Sequence, residues 1–272
     1  MIRSSITVSL VPEARGGPFV FWDDLEAACA RTAALGFHAI EVFAPSVEVL
    51  EKLGAARIIE RHGLKLAAAG TGAGWLIHQL TLTNPDPAVR SKARQFARGI
   101  IEWAAQLGAP AIIGSMQGRD PDRDSALKRL ADELATLSAH AAGLGVNLIY
   151  EPLNRFETNL INRLGDGVDF LAAHKLEHVK LLPDLFHMNI EEVSISAALE
   201  KAGAWIGHVH LADSNRRAMG FGHTPVFPVA RALEKIGYDG YVSGEVVSWP
   251  DPVGAARQTM LSYTQHFGGA PR

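Results

Sequence analysis

Glu151, Asp184, His210 and Glu245 each close a short β-like run that is followed by a turn and a helical segment. The intervals between them are 184 − 151 = 33, 210 − 184 = 26 and 245 − 210 = 35 residues, each about the length of one strand, one helix and two loops. Such a period predicts that all four stand at the C-terminal ends of consecutive parallel strands, where a closed α/β barrel builds its site. Three carboxylates and one imidazole make an oxygen-rich donor set with a single nitrogen. That set suits one divalent ion, Mn²⁺ first and Mg²⁺ or Co²⁺ next, over a metal that seeks thiolates.

The surroundings of these residues sharpen the reading. An ionised carboxylate inside a barrel is costly unless it is paired or bound to a metal. Glu151, Asp184 and Glu245 directly follow Tyr150, Pro183 and Gly244, which do not resemble solvated surface. A strand-end acid can instead cap the next helix or pair with an arginine, but four at matching positions in successive units favour one shared site. Side chains two apart on a strand share a face. In HVHLAD, His208 therefore lies one layer below His210, and it reads as a hydrogen-bonded core histidine.

Strand and helix signals alternate through the whole chain. Strands are expected at Ile6–Val11, Ala39–Phe43, Lys65–Gly70, Ala111–Ser115, Asn147–Glu151, Val179–Asp184, Ile206–Ala212 and Tyr241–Val246. Helices are expected at Trp22–Leu35, Val47–His62, Ala88–Leu107, Asp124–Leu144, Gly167–His174, Ser194–Ala202, Val229–Ile236 and Pro252–His266. Glycines 36, 63, 108 and 145 stand where a left-handed residue ends a helix. Near-continuous apolar runs such as VNLIY suit parallel strands covered on both faces. Eight β–α units without a break in composition predict one (β/α)₈ TIM-barrel domain over residues 1–272, with an open doubly wound sheet as the alternative. GTGAGW (Gly70–Trp75) lacks the spacing of a dinucleotide fingerprint and reads as a flexible loop after strand three, in which Trp75 and His78 could wall a pocket or pack on a partner subunit.

Composition is that of an ordinary globular chain, 47% hydrophobic and 20% charged, with a net charge of −3 and no Lys/Arg block. Neither nucleic acid nor an anionic membrane is an expected partner. Cys29 is the only cysteine, so no disulfide can form within the chain. It lies in the apolar run LEAACA and reads as buried filler. The N-terminus lacks the apolar core of a signal peptide, and a cytoplasmic location is expected.

The segment YEPLNRFETNLIN (Tyr150–Asn162) resembles the strand-five signature of the xylose-isomerase-like sugar epimerases and isomerases, among them D-tagatose/D-psicose 3-epimerases, inosose isomerases and hydroxypyruvate isomerases. LLPDLFHMNIEE, GHVHLADSNR and GYDGYVSGEV follow in the same order, while the first half agrees mainly in element order, through NPDPAVRSKA (Asn84–Ala93). The resemblance implies that Glu151, Asp184, His210 and Glu245 ligate the metal and that Glu151 and Glu245 are also the acid/base pair. It further implies that Glu157, His187 and Arg216 contact the sugar, and it makes a homo-oligomer, dimer or tetramer, the expectation by analogy. Arg163 departs from the family pattern after the asparagine.

The chemistry follows from the residue types. A metal chelated by a carbonyl and its neighbouring hydroxyl stabilises an enediolate. Two carboxylates on opposite sides then remove a proton from one face and return one to the other, or the proton moves to the next carbon. The expected activity is thus a ketose 3-epimerase or aldose–ketose isomerase acting on a small, unphosphorylated polyol. Gly220 and Gly222 with two arginines after strand seven keep a phosphorylated substrate open. A lyase, dehydratase or C-glycoside-cleaving enzyme on the same barrel is the alternative, and a non-catalytic sugar-binding barrel the next. An endonuclease of the same barrel type would need more metals and a basic face.

Overall fold

A computed structural model describes residues 1–268. Its elements run in chain order as β1 (Arg3–Ser9), β2 (Phe21–Trp22), α1 (Leu25–Ala34), β3 (Ala39–Phe43), α2 (Val47–Leu53), α3 (Ala55–Arg61), β4 (Lys65–Gly70), α4 (Ala73–His78), α5 (Pro87–Gln106), β5 (Ala111–Ile113), α6 (Arg123–Gly143), β6 (Leu148–Tyr150), α7 (Leu164–Ala173), β7 (Val179–Leu181), α8 (Leu185–Glu191), α9 (Ile195–Ala202), β8 (Val209–His210), α10 (Val226–Lys235), β9 (Tyr241–Gly244) and α11 (Pro252–His266). The strands are all parallel and pair in the order β7-β6-β5-β4-β3-β1-β9-β8, with β2 added beside β1. Parallel bridges between Leu181 and Ile206 and between Asp184 and His210 join β7 back to β8 and close the barrel. Two backbone bonds seal that seam: Gly207 N–H donates to Leu181 O at 3.0 Å, and His210 N–H to Pro183 O at 3.1 Å.

Two physical faces result from the period-two alternation of each strand. Outward residues such as Ile6, Val8, Ile40, Val42, Val209 and Val242 join the large core that the helices cover. The inward face is divided. On the β4–β7 side Ala68, Ile112, Ile149 and Leu182 form a small apolar cluster. On the opposite side the buried inward residues are polar: Ser5, Thr7, Glu41, His208, His210 and Ser243. The barrel is thus packed on one flank and hydrogen-bonding on the other, and the polar flank leads to the four strand ends.

Helix starts follow from side-chain caps. Asp24, Asp86, Asp122, Asp184, Ser194 and Asp251 each accept a backbone N–H in the first turn of α1, α5, α6, α8, α9 and α11. The expected strands and helices all appear, with five main local differences. The helix expected over Val47–His62 is broken into α2 and α3 at Gly54, which sits at φ 63° and ends α2 in the left-handed cap that glycine permits. Trp22 belongs to β2 rather than to the first helix. The loop after β4 contains α4, and the segment after β7, expected as a turn, winds into α8 because Asp184 caps it. Strand seven keeps only Val209–His210 as β8, with Ile206 reduced to a bridge.

α6 packs against α5 and β6. Leu130→Ala, which removes a fully buried side chain from α6, is expected to lower unfolding free energy by about 2–5 kcal/mol. Urea denaturation followed by circular dichroism checks it.

Candidate metal centre

Each of the four strand-end residues reaches the same point by its own local route. Glu151 follows β6 directly, and its backbone carbonyl accepts from Gln117 Nε2 at 2.9 Å, while Gln117 Oε1 accepts from the Tyr150 hydroxyl at 2.6 Å. Its carboxylate lies so close to Gly114 that a Cβ there would fall 2.6 Å from Glu151 Oε2. Asp184 divides its two oxygens: Oδ1 caps α8 by accepting from Phe186 N–H at 2.8 Å, and Oδ2 faces the barrel axis. Capping and site roles, alternatives from the sequence, are here combined in one side chain. His210 ends β8, and Glu245 follows β9.

One donor atom from each of Glu151, Asp184, His210 and Glu245 lies within 4.8 Å of the others. His210 Nδ1 stands 3.6 Å from Glu151 Oε1, 3.6 Å from Asp184 Oδ2 and 3.5 Å from Glu245 Oε2. Glu151 Oε1, Asp184 Oδ2 and His210 Nδ1 are all buried, and none has a hydrogen-bond partner among the described residues. Three inward-pointing acceptors left bare in a dry place are costly on their own. A divalent cation satisfies them together, and an O₃N donor set is the chemistry that hard and borderline divalent ions accept. The residues therefore fit the ion that the sequence predicts.

Charges around the cluster are unequal. Burial raises the Glu151 carboxyl above its usual range, only partly offset by His210 and His187. Burial also opposes ionisation of Asp184, but His187, His210 and Arg216 outweigh it and hold the group well below the usual range. Glu245 is lowered in the same way, burial being overcome by His210 and Arg216. Burial disfavours a charged His210, yet Glu41 and Glu245 hold its ring well above the ordinary imidazole value.

Glu157, His187 and Arg216 form the rim. Arg216 Nη2 donates to Glu245 Oε2 at 2.8 Å, Nη1 lies 3.6 Å from Glu157 Oε1, and the guanidinium stacks 4.7 Å from the Phe186 ring centroid. Glu157 does not pair with Arg155, whose guanidinium is held by Glu191 at 2.9 Å. His187 is on α8. Asn154 Oδ1 accepts from Phe156 N–H, so its amide nitrogen is the group 2.7 Å from His187 Nδ1. Nδ1 is then the acceptor, and Nε2 carries the proton, 3.9 Å from Glu151 Oε1 and 3.8 Å from Asp184 Oδ2.

These groups line a cavity of about 180 Å³ whose apolar wall is Phe19 and Phe43, stacked at 4.7 Å. Trp75 and His78 are not part of that wall: Trp75 is half exposed on α4, and the His78 ring packs on Phe96. A larger hollow of about 700 Å³ opens at the other end of the barrel beside Arg3 and Lys65, but it has no acidic residue in its lining and no donor set. Glu41, Asn154 and Gln117 were not singled out from sequence. Only Glu41 left a signal there, an acid in the otherwise apolar strand AIEVF.

The sequence profile of the xylose isomerase-like TIM barrel family matches residues 29–263. D-psicose 3-epimerase of Ruminiclostridium cellulolyticum is 30% identical over 241 residues, covering 82% of this chain and 80% of that protein. D-psicose 3-epimerase of Agrobacterium fabrum is 32% identical over 221 residues, covering 78% and 75%. The crystal structure of D-allulose 3-epimerase from a Methylomonas species in complex with D-allulose superposes with a TM-score of 0.83 at 22% identity, covering 97% of this chain and 98% of that one, which shows the shared fold.

Because Glu41 and Glu245 hold the His210 ring above its ordinary value against its burial, and burial raises Glu151, a cation that binds here must displace protons. Mn²⁺ affinity is therefore expected to weaken as pH is lowered, with net proton release on binding. Titration calorimetry in two buffers of different ionisation enthalpy measures both; affinity independent of pH contradicts the assignment of His210 as a ligand.

Proposed function

This chain belongs to the xylose isomerase-like TIM barrel family and is an isomerase-class enzyme, and we propose that it is a divalent-metal-dependent epimerase of a free ketose, inverting the carbon beside the carbonyl. The observation that supports this most directly is the convergence of Glu151 and Glu245. They come from β6 and β9, three strands apart around the closed barrel, with Asp184 and His210 between them. A divalent ion held by these four residues, Mn²⁺ in our reading, would lend positive charge to a substrate carbonyl and so acidify the adjacent C–H bond.

The remaining work belongs to side chains. Glu151 and Glu245 flank the cluster, so one takes a proton from one face of the carbon and the other returns a proton to the opposite face. Their unequal surroundings fit a pair that divides acid and base duties. His187 Nε2–H and the Arg216 guanidinium point donors at substrate oxygens, and Glu157 offers an acceptor. Phe19 and Phe43 cover the carbon skeleton and exclude water.

A phosphorylated sugar fits poorly. The cavity is small beside the roughly 300–1,000 Å³ of pockets for drug-sized ligands. Arg216, the one Lys or Arg in its lining among the described residues, already faces Glu245, Glu157 and Asp184. The glycine-bearing loop after β8, which left a phosphate open, is closed by its own residue: the Asp213 carboxylate accepts from Gly220 and Gly222 N–H at 2.7 and 2.8 Å, and from Ser214 and Thr224 N–H at 2.7 and 2.9 Å.

Incubation with Mn²⁺ and a panel of free and phosphorylated ketoses in D₂O is expected to give an isomer of the free sugar bearing deuterium beside the carbonyl. Glu151→Gln and Glu245→Gln should each lower kcat by about 10²–10⁴-fold. Turnover retained in both variants with Mn²⁺ bound, or a product of lower mass, would overturn the proposal.

A further inference from the structure

We propose that Glu41 is a positioning residue for the metal centre: it fixes the tautomer and plane of His210 so that Nδ1 turns its lone pair toward the ion, with His208 clamping the far side of the same carboxylate. This rests on the metal site proposed above.

Glu41 is the inward residue at the middle of β3, between Ala39 and Phe43, and is 5% exposed. Its Oε1 lies 3.0 Å from His210 Nε2, and its Oε2 lies 2.8 Å from His208 Nε2. An ionised carboxylate only accepts hydrogen bonds, so each histidine must carry its proton on Nε2. A neutral His210 protonated there has its lone pair on Nδ1, the atom that faces Glu151, Asp184 and Glu245. The two imidazole rings stand 84° apart, and one carboxylate that bonds both leaves neither ring free to turn.

The expense of the arrangement argues for a purpose. Burying a carboxylate is unfavourable without compensation, and among the described residues Glu41 has no lysine or arginine partner, only these two histidines. An aliphatic residue would close this part of the barrel more cheaply. What the carboxylate adds is direction, since a histidine ligand is held in one tautomer by what its other nitrogen donates to. His208 is then more than core filler, because it occupies the second oxygen and stops the carboxylate from rotating away from His210.

The test compares wild type with Glu41→Leu. Leucine removes both acceptors, so nothing holds the proton of either histidine on Nε2. The expected result is an Mn²⁺ dissociation constant raised about 10–100-fold, with kcat at saturating Mn²⁺ falling by less than the affinity does and KM for the ketose little changed. Nitrogen-15 spectra of histidine-labelled, Mg²⁺-loaded wild type should show His210 protonated at Nε2, and the same spectra of the variant should show that form depleted. A variant that binds Mn²⁺ within twofold of wild type would sink the proposal even if its melting temperature drops, since a merely structural role predicts that pattern. Should the variant fail to fold, the wild-type spectrum decides alone, and a His210 proton on Nδ1 overturns the assignment. Wild type that takes up no Mn²⁺ at all would instead remove the metal reading itself, separately from Glu41.

Discussion

Like charge in a dry place is the constraint on which this structure turns. Glu151, Asp184 and Glu245 bring three carboxylates to one point at the barrel mouth, and Glu41 sets a fourth directly beneath. Nothing in a barrel interior tolerates such crowding without positive charge. Arg216 supplies part of it beside Glu245, while His187 lies beside Asp184 and His208 beneath Glu41. At the centre, however, two carboxylate oxygens and an imidazole nitrogen remain unpartnered. That donor geometry fits a cation, and the flanking groups keep the acids close together.

The fold meets this demand by dividing the barrel interior. Ala68, Ile112, Ile149 and Leu182 fill the β4–β7 flank and give the strands a rigid backing. The opposite flank gives up that packing for Glu41 and His208, which hold His210 from below. The two flanks have different tasks: one keeps the strands at fixed spacing, and the other fixes a ring orientation. Gly114 belongs to the same design, because a side chain there would collide with the Glu151 carboxylate and push it off the axis. Leu130 and its neighbours on the helical shell act one step further back, on whether the strands converge at all.

The sequence revealed the parts of this arrangement that are local. A ligand at a strand end is followed by its own turn and helix, so the intervals of 33, 26 and 35 residues carried the site without any knowledge of tertiary contacts. Helix ends at Gly36, Gly63, Gly108 and Gly145 were legible for the same reason, since a glycine cap acts over a few residues. What was not legible depends on distance along the chain. Glu41 meets its partners across 167 and 169 residues, and no spacing rule connects an acid in strand two with histidines in strand seven. Phe19 and Phe43 became the cavity wall through a similar accident of closure, whereas Trp75, conspicuous in sequence, faces elsewhere. α8 was missed because its capping residue had already been assigned to the metal; one oxygen of Asp184 caps the helix while the other faces His210.

The loop after β8 shows how the same backbone can be turned away from one ligand class. Loops with Gly220 and Gly222 spacing offer N–H groups that suit a phosphate. Here a carboxylate of the loop itself, Asp213, takes those donors, and burial of the group is outweighed by the four backbone hydrogen bonds that hold its acidity below the usual range. The knot also sets the next turn: Arg216 N–H donates to Asp213 O at 2.8 Å, and Arg216 adopts φ 57°, a left-handed conformation that an arginine adopts only at some cost. That cost is offset by the Asp213 bonds, and its effect is to swing the guanidinium inward over Phe186 to Glu245. A single buried aspartate thereby takes up the loop's own anion-binding donors and brings Arg216 to the rim of the cavity, where its charge faces Glu245, Glu157 and Asp184.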